Sequence, residues 1–341
     1  MKFICLRCQK ERNNFDLYCS CGGLFRPVHD FQFSSNLKSN FPYISKWVSL
    51  GETLTPLIER QQFFLKLDYF SPTYSYKDRG TITLISSLLG KIPEGSDINE
   101  DSSGNAGASI AAYASAAGFK PNIYVPQNAS ESKINQIKSY GAKIHTVQGS
   151  RENVMEACKR APGFYASHVL RPEFRDGIRM LSYEIMTQLN WHIPDAVVMP
   201  VSAGTLLLGV IYGFRHLLNS GEISRIPQII AEQTEFVSPL YHRMEGLQYN
   251  PPRSYVSVAD ALVSQSPPLL DEMYESLKGY GKVLMVSENE IISSREMLAR
   301  SGILIEYSSA VAYAGALKLK GLKPVVILTG NGLKSSYPKS I

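Results

Sequence analysis

Short apolar runs that alternate with helical segments constrain this fold more than any other feature of the sequence. The runs at 196–201 (AVVMPV) and 324–330 (PVVILTG) are largely apolar, as expected of strands buried inside a sheet. Segments with helical character stand beside them at 206–218 and 309–321. A chain of 341 residues is also long enough for two domains. The pattern therefore predicts an α/β fold with two doubly wound domains and mostly parallel sheets.

The same alternation extends over much of the remaining chain. Strands are expected at 121–126, 142–147 and 228–233, and a polar strand-to-loop passage at 96–104. Helices are expected at 81–90, 108–118, 130–141 and 177–189. The last of these has apolar residues at Ile178, Leu181, Ile185 and Leu189, which is the spacing of one helix face.

Composition and charge exclude several classes of protein. With 44% apolar and 19% charged residues, the chain is neither disordered nor fibrous in character. The net charge is only +5 and no block of like charges occurs, so we expect no nucleic-acid partner. The polar N-terminus is not typical of a secretory signal. The uncharged run at 196–214 is broken by Pro200 and by 202–205, so we expect no membrane span and a cytoplasmic protein.

Four of the five cysteines lie in the first 21 residues, in the pattern Cys5-x2-Cys8-x10-Cys19-x-Cys21. Two close pairs of thiolates suit tetrahedral Zn²⁺, and the glycine pair that follows permits a tight turn. Without an export signal, disulfides are the less favoured use of these cysteines. The single residue between Cys19 and Cys21 strains a standard zinc knuckle, so a ribbon that folds without metal stays open as the alternative.

Three glycine-containing turns stand where parallel strands are expected to end. They are Ser102-Ser103-Gly104-Asn105-Ala106-Gly107, Ser202-Ala203-Gly204-Thr205 and Thr329-Gly330-Asn331-Gly332. Glycine lets backbone N–H groups approach a ligand, and a following helix adds its positive dipole end, so two anion sites are plausible. An ordinary loop is the alternative for any one of them. The sequence lacks the dinucleotide and P-loop signatures, which disfavours NAD and ATP.

Lys77 is the candidate reactive residue. It lies in the segment Ser75-Tyr76-Lys77-Asp78-Arg79-Gly80, directly before the predicted helix at 81–90. A helix start and the neighbouring Arg79 both favour a neutral amine, and Schiff-base chemistry needs that form. The alternative is that this segment is a solvated helix cap.

Four motifs in this order resemble those of the threonine synthases, which belong to the tryptophan-synthase-β-like class of pyridoxal-phosphate enzymes (fold type II). The motifs are the segment around Lys77, the turn at 102–107, the segment 200–209 (PVSAGTLLLG) and the segment 329–334 (TGNGLK). The resemblance covers about residues 50–335 and begins with 51–57 (GETLTPL). Many members of the class also carry an N-terminal cysteine ribbon.

The resemblance implies a role for each motif. Lys77 resembles the lysine that attaches pyridoxal 5'-phosphate as a Schiff base, and Asn105 resembles the residue that hydrogen-bonds the cofactor's 3-oxygen. Thr329 resembles the hydroxyl partner of the pyridine nitrogen. The cofactor phosphate is expected at Ser202, Ala203, Gly204, Thr205 and Leu206. The substrate carboxylate is expected at Ser102, Ser103 and Gly104.

Several positions depart from the family pattern. Tyr74 stands where the family usually has Gly, Tyr76 replaces a Phe, and Ser202 replaces the first glycine of the phosphate loop. Arg171 occupies a position where relatives often have Asn. Because a guanidinium binds phosphate well, Arg171 and Arg175 are predicted to line the substrate cleft and to bind a substrate phosphate. The alternative is that both are surface residues of a loop.

The resemblance thus implies an enzyme that acts on a small amino-acid substrate, O-phospho-L-homoserine, and with water gives L-threonine and phosphate. The alternatives are another enzyme of fold type II, such as a threonine or serine dehydratase or a cysteate synthase, and a non-catalytic relic that binds the cofactor or zinc. A homodimer is expected. The expected division is a cysteine segment at 1–27, a large cofactor-binding domain at 28–65 and 166–341, and a smaller substrate-side domain at 66–165.

Overall fold

The computed structural model describes residues 1–127, 129, 131–254 and 257–334. Alternating strands and helices form an α/β fold with mostly parallel sheets, which confirms the predicted class. The chain divides into two compact units, each formed from two stretches of sequence. Unit 1 comprises Met1–Thr53 and Lys77–Met180, and unit 2 comprises Leu54–Tyr76 and the described residues from Leu181 onward.

The strands of the described ranges are β1 (Lys2–Cys5), β2 (Phe25–Val28), β3 (Leu57–Glu59), β4 (Phe64–Leu67), β5 (Asp97–Glu100), β6 (Lys120–Pro126), β7 (Lys143–Val147), β8 (Phe164–Tyr165), β9 (Ala196–Pro200), β10 (Gln228–Thr234), β11 (Gly281–Val286) and β12 (Val325–Leu328). The α-helices are α1 (Lys77–Leu88), α2 (Asn105–Ala116), α3 (Glu131–Ser139), α4 (Arg151–Arg160), α5 (Pro172–Ile178), α6 (Met180–Gln188), α7 (Thr205–Asn219), α8 (Pro239–Met244), α9 (Leu270–Leu277), α10 (Glu288–Arg300) and α11 (Tyr307–Ala316).

Unit 1 is built on a parallel sheet whose described strands have the order β7-β6-β5-β8. Ile98, Ile123 and Val125 are buried in this sheet, where β-branched side chains pack well. Helix α2 is rich in alanine, and most of its residues are buried against the sheet and against α1. The N-terminal strands β1 and β2 form a separate antiparallel pair. The cysteine segment therefore contains a small antiparallel ribbon, which belongs to unit 1 together with the parallel sheet.

Unit 2 contains a larger sheet with the described order β11-β10-β9-β12-β4-β3, which is parallel except for β3. Strands β9 and β12 are buried along their whole length, as their apolar sequences predicted. Val197 pairs with Val325 and Val198 with Val326, so β9 and β12 are direct neighbours. Helix α7 follows β9 and has 15 residues. No helix in the described ranges combines the length and the apolar character that a membrane span requires.

The sheet of unit 2 encloses a lysine in β4. Lys66 has no exposed surface, and its Nζ lies 2.9 Å from Glu184 Oε2. The ammonium also donates to the Thr55 carbonyl and to Gln188 Oε1, both at 2.7 Å. A buried charge costs several kcal/mol unless it is paired and hydrogen-bonded, and here all three donors of the ammonium have a partner. These contacts attach the stretch 54–76 to helix α6 of the same unit.

Replacing Glu184 with alanine should destabilise unit 2, because the Lys66 ammonium then stays buried without its carboxylate. We expect a loss of about 3–5 kcal/mol in the free energy of unfolding, measured by urea denaturation. The double variant Lys66→Met with Glu184→Leu should lose much less, since it removes both charges and keeps apolar volume. The exposed Glu222→Ala serves as the control. Wild-type stability of Glu184→Ala would contradict this account of the pair.

One predicted helix is divided in the structure. The sequence pattern favoured a continuous helix at 177–189, whereas α5 ends at Ile178 and α6 begins at Met180. Arg179 lies between them, and its backbone N–H bonds to the Asp176 carbonyl at 3.2 Å in a tighter turn. Helix α5 also begins earlier than predicted, at Pro172, because proline is favoured at the first helical position.

The boundaries of the two units differ from those expected from the sequence. Residues 28–53 and 166–180 were expected in the large domain but belong to unit 1, together with the cysteine segment. Residues 66–76 were expected in the smaller domain but belong to unit 2. Helix packing explains the first difference, since Thr83 Oγ1 on α1 donates to the Glu173 carbonyl on α5 at 2.9 Å. Strand pairing explains the second, because β4 pairs with β12.

Candidate active site

Lys77 is the first residue of α1 and is half-buried. Its Nζ lies 6.0 Å from the centroid of the Phe174 ring on helix α5. The next two residues, Asp78 and Arg79, are buried. Ser109 of α2 donates to Asp78 Oδ1 at 2.6 Å, which ties the start of α1 to α2. Lys77 therefore lies in a packed setting and not on a solvated helix cap.

The turn after β5 contains the residues predicted for the substrate carboxylate and for the cofactor's 3-oxygen. Ser102, Ser103 and Gly104 connect β5 to α2, and Asn105 is the first residue of that helix. Ser102 Oγ accepts a hydrogen bond from the Gly104 N–H at 3.3 Å. A side chain at Gly107 would overlap the Ser102 carbonyl oxygen, so only glycine permits this close approach. The turn presents the N-terminus of a 12-residue helix, an arrangement that suits anions.

The turn after β9 has the features of an anion cradle. Residues 201–204 lead into α7, and the N-terminus of this 15-residue helix carries a positive dipole end. Gly204 has φ +95°, a left-handed conformation that glycine adopts without strain, and a Cβ there would approach Met273 Sδ to 2.5 Å. Ser202 Oγ accepts a hydrogen bond from the Ser264 N–H at 3.3 Å. The structure thus brings together in one turn the predicted residues Ser202, Ala203, Gly204, Thr205 and Leu206.

Thr329 directly follows β12 and is 6% exposed. Its backbone N–H donates to Ser309 Oγ at 2.7 Å, which fixes the end of the strand against α11. Because β9 and β12 are parallel neighbours, Thr329 and the turn at 201–204 lie at the same edge of the sheet. Ligands of open parallel sheets bind at this edge.

The chain just before Lys77 is attached to the same edge of unit 2. The Tyr76 N–H donates to the Thr329 carbonyl at 3.0 Å, and Ser75 forms an isolated β-bridge with Gly330. The start of the lysine motif therefore adjoins the Thr329 motif.

A buried acid–histidine pair in unit 1 was missed by the sequence analysis. Glu100 ends β5 without exposed surface, and its Oε1 lies 2.6 Å from His168 Nδ1. Burial raises the pKa of Glu100 to about 8. Burial, together with the charge of Lys77, lowers the pKa of His168 to about 3. The signal that could have revealed the pair is a carboxylate at the end of a strand expected inside a sheet.

Comparison with known proteins now decides the family. The profile of the pyridoxal-phosphate dependent enzymes matches residues 48–330. The chain belongs to this family. Its members use pyridoxal phosphate.

Curated relatives and solved structures agree with this assignment. The threonine synthase of Methanocaldococcus jannaschii is 28% identical over 97% of this chain and 92% of its own length. The threonine synthase of Methanosarcina acetivorans is 26% identical over 97% of this chain and 91% of its own length. A maize serine racemase has a TM-score of 0.71 at 21% identity, covering 82% of this chain and 88% of that one. An L-serine ammonia-lyase of Rhizomucor miehei has a TM-score of 0.71 at 21% identity, covering 84% and 95%. The shared fold is fold type II.

The residues present fit a cofactor with one phosphate and one ring. The start of α7 provides N–H groups and a positive dipole end for the phosphate. Thr329 provides a nearly buried hydroxyl at the neighbouring strand end. Ser75 Oγ is buried, and it has no hydrogen-bond partner among the described residues. Since buried hydroxyl groups are usually hydrogen-bonded, this one indicates that a further group binds at the edge.

The conformation of Tyr74 explains one departure from the family pattern. Its φ is +64°, in the left-handed region where glycine is favoured. Its carbonyl accepts a hydrogen bond from the Asn331 N–H at 3.2 Å, so the unusual backbone keeps a contact with the Thr329 segment. A residue with a Cβ in this conformation costs about 1–2 kcal/mol. The left-handed backbone explains why glycine is usual at this position in the family. In this chain Tyr74 adopts that conformation despite the strain.

Arg171 and Arg175 are both buried and donate to backbone carbonyls. Arg171 is 5% exposed and donates to the carbonyls of Tyr165, at 2.8 Å, and Phe15. Arg175 has no exposed surface and donates to two carbonyls, one of them that of Phe25. The alternative of surface residues is therefore wrong. The partners Phe15 and Phe25 belong to the N-terminal segment, so both arginines attach α5 and its start to that segment, and the binding of a substrate phosphate stays a prediction.

Arg175→Ala should consequently reduce stability. Two charge-assisted hydrogen bonds are lost and two carbonyls stay buried, so we expect unfolding to cost about 2–4 kcal/mol less. Urea denaturation measures this loss. Arg243→Ala, whose wild-type side chain is 53% exposed, should change stability little. If Arg175→Ala instead kept its stability and raised KM only for phosphorylated substrates, the substrate role predicted from the sequence would be correct.

The four N-terminal cysteines form one cluster. The Sγ atoms of Cys5, Cys8, Cys19 and Cys21 all lie within 4.8 Å of one another. Four thiolates around tetrahedral Zn²⁺ are about 3.8 Å apart, given a Zn–S distance of about 2.3 Å. The Gly22 N–H bonds to the Cys19 carbonyl at 2.7 Å with φ +78°, which makes the tight turn that the short second spacing requires. The cluster thus fits a structural zinc ion in donor type and in separation.

Protein purified without chelator should contain about one Zn²⁺ per chain, as mass spectrometry with inductively coupled plasma can measure. Because structural zinc contributes to folding, Cys8→Ser and Cys21→Ser should lose the metal and unfold at a lower temperature. Cys158→Ser, which removes a buried thiol of α4 outside the cluster, should keep its zinc. A zinc-free wild type with an unchanged unfolding temperature would show that the ribbon folds without metal.

Proposed function

We propose that this protein is a pyridoxal-phosphate-dependent lyase of the threonine synthase type, which converts O-phospho-L-homoserine and water to L-threonine and phosphate. The extent of the likeness carries this proposal. A match over 97% of the chain to the M. jannaschii threonine synthase has to include most of residues 1–47, which the family profile leaves out. The serine racemase and ammonia-lyase structures cover only 82% and 84%. Likeness to a threonine synthase thus extends into the cysteine segment.

In this proposal, unit 2 holds the cofactor at the edge where β9 and β12 end. The turn that begins at Ser202 binds the phosphate through the start of α7. Thr329 places its hydroxyl at the pyridine nitrogen, and Asn105 donates to the 3-oxygen. A hydroxyl does not keep the ring protonated as a carboxylate does. When bound, the cofactor supplies the electron sink for breaking the Cα–H bond of the substrate.

Lys77 would hold the cofactor through its ε-amine and would also be the acid and base of the reaction. Its ε-amine would remove the proton at Cα of the substrate and move protons at Cβ and Cγ. Phosphate leaves from Cγ, and water adds at Cβ. The backbone of Ser102, Ser103 and Gly104 orients the substrate carboxylate at the start of α2.

A second candidate is a dehydratase or ammonia-lyase that acts on an unphosphorylated hydroxy amino acid. The observation in its favour is the burial of Arg171 and Arg175, whose guanidinium groups bind backbone carbonyls. A substrate without phosphate needs no second anion site beside that of the cofactor. The L-serine ammonia-lyase with the same fold is compatible with this chemistry.

The deciding experiment is a panel of phosphorylated and free amino acids, scored for phosphate, threonine and 2-oxo acid. We expect O-phospho-L-homoserine to give equal amounts of phosphate and threonine, while serine and threonine give little 2-oxo acid. Lys77→Ala should lose about 10²–10⁴-fold in turnover, because the acid–base group is gone. Lys91→Ala, a lysine outside the motifs, is the matched control.

The other outcomes separate the candidates. Release of 2-oxo acid from serine or threonine, without turnover of O-phospho-L-homoserine, would favour the dehydratase. Turnover by Lys77→Ala at the wild-type rate would overturn the assignment of the lysine. The family resemblance also supports a homodimer, which light scattering of the purified protein can test.

A further inference from the structure

Glu100 and His168 form a buried pair to which the proposed function gives no role. The Glu100 side chain has no exposed surface, and both of its oxygens contact the same residue. Oε1 lies 2.6 Å from His168 Nδ1, and Oε2 accepts a hydrogen bond from the His168 backbone N–H at 3.2 Å. The pair joins the end of β5 to the segment before α5. A carboxylate in such a place has to be neutralised, because an isolated buried charge costs several kcal/mol.

The pair lies close to Lys77 within unit 1. The ring centroids of His168 and Phe174 are 5.9 Å apart, and Lys77 Nζ lies 6.0 Å from the Phe174 centroid. Burial has the largest effect on the pKa of both members of the pair. The positive charge of Lys77 also lowers the pKa of Glu100 and of His168. Lys77, Phe174, His168 and Glu100 therefore form one continuous cluster.

Other titratable or charged groups interact with the pair from the residue after β5, from α4 and from β8. They are Asp101, Arg151, Cys158 and Tyr165. The Tyr165 hydroxyl donates to Asp101 Oδ1 at 2.8 Å. Lys77 differs from all of these groups in one respect. Its nitrogen is the one that changes its covalent partner when the cofactor binds and again when the substrate amine takes its place.

We propose that Glu100 and His168 are positioning residues that act as the counter-charge of Lys77. The positive charge of an ammonium at Lys77 favours the carboxylate form of Glu100, which accepts the Nδ1–H of His168. When Lys77 releases its proton to water, the protonated acid is favoured, and Glu100 takes up one proton from water. One N–H bond breaks at Lys77, and one O–H bond forms at Glu100. The total charge of the three groups does not change.

This inference rests on the proposed attachment of the cofactor to Lys77, and it adds a reason for the buried pair. A neutral amine is needed for that attachment. A proton store beside the lysine lets the amine become neutral without leaving an unbalanced charge in the interior of unit 1. This role of the pair does not depend on which substrate is bound.

The test follows the imidazole ¹⁵N signals of His168 by NMR in the full-length protein, freed of cofactor and without substrate, across the pH range. In the wild type we expect a step near pH 8, where Glu100 loses its proton. Lys77→Met should move this step up by about one pH unit, because a positive neighbour favours the carboxylate. Lys77→Arg keeps the charge and should stay close to the wild type. Glu100→Gln should remove the step.

Asp97→Asn is the matched control, since it neutralises an exposed carboxylate at the other end of the same strand. It should leave the step in place. Equal midpoints in Lys77→Met and Lys77→Arg would overturn the proposal, and so would a step that persists in Glu100→Gln. If Glu100→Gln does not fold, the two Lys77 variants decide alone, as both leave the buried pair intact. Suppose that O-phospho-L-homoserine is not turned over, but that the midpoint of the His168 step still shifts in Lys77→Met. The proposed reaction would then be refuted, whereas the counter-charge role of the pair would stand.

Discussion

The buried carboxylate of Asp176 is the contact on which the N-terminal half of unit 1 depends. It accepts hydrogen bonds from His29 Nε2 at 2.6 Å, from the Tyr43 hydroxyl at 2.8 Å and from Arg179 Nε at 2.7 Å. Burial alone would raise the pKa of Asp176, but the neighbouring Arg179 and His29 hold it at about 2. One carboxylate on α5 thereby joins two positions of the N-terminal segment to the end of its own helix. Because each partner satisfies the same charge, losing any one of them weakens the others.

Helix α5 connects the N-terminal segment to helix α1, which begins at Lys77. On one side, Arg12 of the cysteine ribbon pairs with Glu173 at 2.5 Å. On the other side, the carbonyl of the same Glu173 accepts a hydrogen bond from Thr83 of α1. The ribbon is thus connected to helix α1 by packed elements of one unit.

Two buried carboxylates of this protein have different kinds of partner. Glu184 faces Lys66, whose ammonium has three partners, so the pair is a fixed part of the unit 2 sheet. Glu100 faces His168, with Oε1 2.6 Å from Nδ1, and burial raises the pKa of Glu100 to about 8. A permanent ion pair stabilises a fold, whereas an acid–imidazole pair can follow the charge of its neighbour.

The sequence by itself determined the α/β class, the turns at strand ends and the cysteine cluster, because each depends on residues close together in the chain. The order of the motifs along the chain was sufficient to identify the family. The tertiary structure decided which stretches form each unit, the burial of Arg171 and Arg175, and the Glu100–His168 pair. The last pair joins residues 68 positions apart, and Arg175 meets a carbonyl 150 positions away. Periodicity and spacing carry no information on such partners, because packing selects them only after the helices and strands have assembled.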